Sequence, residues 1–220
     1  MKRIFFSLLL ALALQMGVKA QTTPAFWPDI LAFKKQDSTK PVPSNSILFV
    51  GSSSFTRWTD VNDYFPGYPI VNRGFGGSTL VDVIRYAYDV IIPYHPKQVL
   101  IYGGDNDLAF SESVTPQDIL TRFKTLFSII RINLPATQID FVSIKPSPSR
   151  IKLFSKAKEA NALVKDFLKK QKNAGFINVF DALLDASGKP IESLYVQDRL
   201  HLKPEGYRIW QKIIQPYLLK

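Results

Sequence analysis

The segment ILFVGSSSF (residues 47–55) decides how the rest of the chain is read. Four apolar residues run without alternation into a glycine and three serines. A strand with one wet face alternates apolar and polar side chains. A continuous run suits a strand whose sheet is covered by helices on both faces. The same pattern recurs at PIVNRG (69–74), QVLIYGG (98–104), QIDFVSI (138–144) and FINVFD (176–181), so five short strands are expected.

Between these runs lie stretches of helical periodicity. In 116–133, Ile119, Leu120, Phe123, Leu126, Phe127 and Ile130 recur at three- and four-residue spacing. Thr115, Pro116 and Asp118 supply a cap, a proline in the first turn and an acid beside the helix N-terminus. Residues 155–173 and 204–218 repeat the pattern, a further helix is expected over 26–36, and another helical pattern opens at Thr79 and runs to Ile92. Such alternation implies a three-layer α/β/α sandwich around a five-stranded, mainly parallel sheet.

Composition bounds the setting. Residues 1–20 carry a basic start (Lys2, Arg3), an apolar stretch from Ile4 to Leu14 and a close in small residues, the three parts of a secretory signal. The expectation is an exported chain, periplasmic or secreted, with residues 21–220 forming a single domain. Removing the leader lowers the net charge from +10 to +7. The remaining basic residues are scattered, apart from KKQK at 169–172 at the end of a helical pattern, so no nucleic-acid arm is indicated. The chain has no cysteine, which excludes disulfides and thiolate metal sites.

In an open parallel sheet, ligands bind beyond the carboxyl ends of the strands. Those ends read Gly51-Ser52-Ser53-Ser54, Asn72 to Gly77, Gly103 to Asp107, Ser143 to Pro146, and Phe180-Asp181. Of the two histidines, His95 precedes a strand and so falls on the opposite edge. His201 follows Asp198 by three residues, a spacing that can bring a carboxylate onto one ring nitrogen and leave the other free. Gly77 lies in a turn where backbone N–H groups can approach a substrate, and Asn106 could add an amide donor. GFGGST at 74–79 lacks the last glycine of a dinucleotide loop, and Asp105-Asn106-Asp107 lacks the spaced acids of a calcium loop. No cofactor or metal is called for. Trp58, Phe75 and Tyr102 near the strand ends could stack on a sugar ring or belong to the core.

GSSS at 51–54, the glycine turn ending at Gly77, GDND at 104–107 and DRLH at 198–201 together resemble, in order, the four blocks of the SGNH (GDSL-type) esterases and lipases. The resemblance runs over about 47–218. It implies a flavodoxin-like fold, Ser53 as nucleophile, His201 as its base and Asp198 as the acid that orients the base. It further implies an oxyanion hole formed by the Ser53 and Gly77 N–H groups and the Asn106 amide. Ser52 stands where the family's first block usually carries an acid. The expected substrates are small acyl esters, acetyl foremost, on a small molecule or polysaccharide. A lysophospholipid is the alternative substrate, and a carbohydrate-binding module without catalysis is the alternative class.

Overall fold

The computed structural model describes residues 23–220; the leader expected over 1–20 lies outside them. Five strands form one sheet: β1 (Ile47–Gly51), β2 (Ile70–Gly74), β3 (Gln98–Tyr102), β4 (Gln138–Val142) and β5 (Ala174–Ile177). Their order is β2-β1-β3-β4-β5 and every pairing is parallel. This is the flavodoxin-like order, in which the chain reverses its direction of travel across the sheet at the boundary between β1 and β3.

The continuous apolar runs serve two cores. Leu48, Val50, Val99 and Ile101 enter one cluster, while Ile47, Phe49, Leu100 and Tyr102 enter the other. The first is closed by helices α1 (Trp27–Thr39), α4 (Leu80–Arg85), α7 (Pro116–Asn133) and α8 (Phe154–Leu168). The second is closed by α9 (Pro204–Ile214), with the short helices α2 (Ser53–Thr56) and α3 (Val61–Tyr64). Trp58 and Trp210 are fully buried there, with the Trp58 ring stacked 4.7 Å from Tyr207. A buried aromatic of this size contributes on the order of 3 kcal/mol, which makes α9 the lid of that core.

Local chemistry sets the element ends. Thr115 and Asp118 form a reciprocal capping box at the start of α7, and Thr79 and Asp82 form another at the start of α4. The helical pattern expected to run on to Ile92 breaks at Tyr86. There the backbone leaves the helical region and the hydroxyl donates to the Ala25 carbonyl. After that break comes a single turn, α5 (Ala87–Val90). Strand β5 begins two residues earlier than expected and stops at Ile177. The Asn178 side chain turns the chain there, donating to Asp181 and accepting from the Phe180 N–H. KKQK lies just past α8, which ends at Leu168.

The strand ends are level across the sheet: Gly51 pairs with Gly74 on one side and with Tyr102 on the other. Trp58, Phe75 and Tyr102 are all buried, so the sugar-stacking alternative for them is discarded. Arg73, whose role the sequence leaves open, ties the edge strand β2 to α1: its guanidinium pairs with Asp37 and donates to Gln36 and the Tyr94 hydroxyl.

Candidate active site

Gly51 is the hinge of the site. Its φ is +131°, and a Cβ there would lie 1.9 Å from the Tyr102 carbonyl oxygen, so only glycine fits this close to β3. Ser52 continues in extended conformation, and Ser53 then opens α2, whose first turn closes on the Ser52 carbonyl. The abrupt change sends the three serines three ways. The Ser52 hydroxyl, buried, accepts from Asn106 Nδ2 at 2.6 Å. Ser53 Oγ lies 2.9 Å from His201 Nε2. Ser54 is buried, and its carbonyl accepts from the Tyr207 hydroxyl.

His201 and Asp198 share one tight turn. Arg199 between them adopts a left-handed conformation, and the Val196 N–H bonds to the His201 carbonyl. Asp198 Oδ1 accepts the N–H groups of Leu200 and His201, both at 2.9 Å. Its Oδ2 lies 2.6 Å from His201 Nδ1. Burial pushes the Asp198 carboxyl up, but the imidazole and the two N–H groups outweigh it and hold the group well below the usual carboxylate range. Burial lowers the His201 pKa; the Asp198 hydrogen bond opposes this and the Arg57 charge adds to it, leaving it below the ordinary imidazole value. The ring is therefore neutral at pH 7, with Nδ1–H donated to Asp198 and Nε2 free to accept from Ser53.

The glycine turn after β2 packs against the same strand end. The Phe75 N–H and the Ser78 hydroxyl both donate to the Gly51 carbonyl. Gly77 has φ +89°, and a Cβ there would meet only the Phe26 ring at 3.8 Å, so the turn needs glycine for its conformation rather than for space. Neither the Ser53 N–H nor the Gly77 N–H bonds to another group among the described residues. Asn106 stands in α6 (Asp105–Phe110), directly after β3. Its Nδ2 donates to the Ser52 hydroxyl and to the Ser78 carbonyl, and its Oδ1 accepts from Arg150 Nη2.

All five residues singled out in the sequence thus meet at one place. Ser53, Gly77, Asn106 and His201, with Arg57 and Arg150, line an open cleft of about 340 Å³, and Asp198 backs the histidine. Two larger grooves of about 570 Å³ lie beside His95 and along β2; neither brings together a hydroxyl and a histidine backed by a carboxylate. Asp105 and Asp107 do not converge on a common point: Asp105 faces Lys145 and Arg150, while Asp107 accepts the Leu80 N–H and pairs with Arg122. Arg57, Ser78 and Lys145 are not singled out by the sequence, and Arg150, whose role the sequence leaves open as it does that of Arg73, joins the site. Lys145, a cation at the end of an apolar strand, is a signal the sequence carries.

The family model of GDSL-like lipases and acylhydrolases matches residues 45–209. No curated protein matches the chain. Among solved structures, the chain is similar to a GDSL-like lipase from Bacteroides thetaiotaomicron, with 18% identity, TM-score 0.72, and 86% of this chain and 96% of that one covered. It is similar also to a candidate acylhydrolase from Bacteroides fragilis, with 20% identity, TM-score 0.75, and coverage of 87% and 96%. A third is an acetylxylan esterase from Geobacillus stearothermophilus, with 16% identity, TM-score 0.63, and coverage of 80% and 95%. At these identities the structures establish the fold, and the family model establishes membership: the chain belongs to the GDSL-like lipase/acylhydrolase family and is a carboxylic ester hydrolase.

Proposed function

We propose that the protein is a serine esterase that removes small acyl groups, acetyl foremost, from carbohydrate through an acyl-enzyme on Ser53. The observation that carries this is the continuous relay from Asp198 through His201 to Ser53, at 2.6 and 2.9 Å. Ser53 attacks the ester carbonyl as His201 takes its proton, and Asp198 holds the ring and supports the imidazolium. The Ser53 and Gly77 N–H groups receive the oxyanion. Asn106 Nδ2 joins them: one hydrogen stays on the Ser78 carbonyl, while the other passes from the Ser52 hydroxyl to the oxyanion, a stronger acceptor than a neutral hydroxyl. His201 then protonates the leaving alcohol, and water repeats the cycle.

The small volume of the cleft, in which Leu200 is the one large apolar side chain, favours a short acyl group. The N-terminal twenty residues support export, where polysaccharide esters are met. One observation favours a lipid ester instead: Phe110, at the far end of α6, and Ile151, next to Arg150, are 83% and 50% exposed. A panel of nitrophenyl esters from C2 to C12 separates the two. A maximum in kcat/KM at C2–C4 is expected, and a sharp maximum at C8 or beyond would sink the deacetylase reading.

A further inference from the structure

Arg150 follows β4 in a loop that touches both halves of the site. The Ser149 N–H and hydroxyl both donate to the Arg199 carbonyl, and the Tyr195 hydroxyl donates to the Pro146 carbonyl. These bonds fasten the loop to the turn that carries Asp198 and His201. Arg150 then reaches the other way, to α6. Its Nη1 lies 2.6 Å from Asp105 Oδ1, and its Nη2 donates to Asn106 Oδ1 at 2.9 Å. Asp105 is held in turn by Lys145, whose ammonium is buried 3.3 Å from Oδ2. Burial alone would raise the Asp105 carboxyl; Lys145 and Arg150 overcome this and keep it ionised.

A chain of two cations and one carboxylate, with Lys145 and Asp105 buried and Arg150 half-buried, is a poor source of stability, because its desolvation cost rivals its attraction. Its geometry does something specific, however. An asparagine amide is nearly symmetric in shape, so only its partners decide which end faces a ligand. Here two acceptors, Ser52 Oγ and Ser78 O, meet Nδ2, while a charged donor meets Oδ1. Turning the amide over would set its NH2 against a guanidinium and its oxygen against a carbonyl. We infer that Arg150, aimed by Asp105, is a positioning residue that locks the Asn106 amide with Nδ2 toward the acyl group. This rests on Asn106 acting as an oxyanion donor.

The test is a double-mutant cycle on a short-chain nitrophenyl ester, with kcat and KM measured separately and thermal unfolding recorded for each variant. Arg150→Met is expected to lower kcat about 10- to 100-fold with KM changed less than about threefold, the loss appropriate to a charge-assisted hydrogen bond. Asn106→Ala is expected to lower kcat about 10²–10³-fold. In the Asn106→Ala background, Arg150→Met should then cost less than about threefold more, because its target is gone. An equal loss in both backgrounds, or no loss in the parent, overturns the inference and leaves the donor reading standing. An inert Asn106→Ala overturns both. Where Arg150→Met does not fold, Arg150→Lys takes its place with the same expectations, since it keeps the charge beside Asp105 but has no second nitrogen for Asn106.

Discussion

Replacing Asp198 by asparagine exchanges one carboxylate oxygen for an NH2 group, and the surrounding bonds dictate which. Oδ1 receives two backbone N–H groups, from Leu200 and His201, which need an acceptor. The amide oxygen therefore stays there and the NH2 faces His201 Nδ1, 2.6 Å away in the parent. Nδ1 must then accept, the ring proton moves to Nε2, and Nε2 presents a donor to Ser53 where it should accept. The attraction to the forming imidazolium goes too; at that distance, with a half-exposed carboxylate, it is worth roughly 2–6 kcal/mol. A serine hydrolase with its histidine in the wrong tautomer loses about 10⁴ in turnover, or ~5.5 kcal/mol of transition-state stabilisation. The assay is kcat on nitrophenyl acetate for parent and Asp198→Asn, with circular dichroism to show that the turn is intact. Turnover within tenfold of the parent would refute the reasoning, because it would mean that the orientation of His201 does not depend on the carboxylate.

Acid should inactivate the enzyme as His201 is protonated, with the limb of kcat/KM below the ordinary imidazole pKa of about 6.5, since burial lowers the group. Arg57 contributes to that lowering, so Arg57→Gln, which removes a positive neighbour and eases protonation, should move the limb to higher pH; an unmoved limb contradicts this. Gly51→Ala should cost at least about 3 kcal/mol in urea unfolding or prevent folding, because the new methyl has no room beside Tyr102. A loss under about 1 kcal/mol would show that the strand end can yield.

Much of this site was legible because its parts are local. Thr115, Pro116 and Asp118 cap a helix through bonds within four residues, and the Asp198–His201 contact closes inside one turn. The strand-end rule did the remainder, since a parallel sheet delivers Ser53, Gly77 and Asn106 to one edge without any need to trace the loops. Contacts settled by loop path were not legible. Arg150 arrives from beyond β4 through a turn that no periodicity specifies, and its partners lie 44 and 45 residues away in sequence. For the three aromatics near the strand ends, the sequence leaves a sugar platform and the core both open, and the structure selects the core. With helices on both faces, a large side chain there can enter a core, and Trp58, Phe75 and Tyr102 did. Ser52, the departure from the family's first block, occupies the place of an acid as a neutral acceptor for Asn106.

The central claim is that Ser53, alone of three adjacent serines, is the nucleophile, and stoichiometric labelling with a fluorophosphonate tests it most directly. Intact-mass analysis followed by peptide sequencing is expected to find one adduct per chain, on Ser53, in the parent and in Ser52→Ala, and none in Ser53→Ala. An adduct on Ser52 or Ser54, or folded parent that takes up no label, would contradict the account.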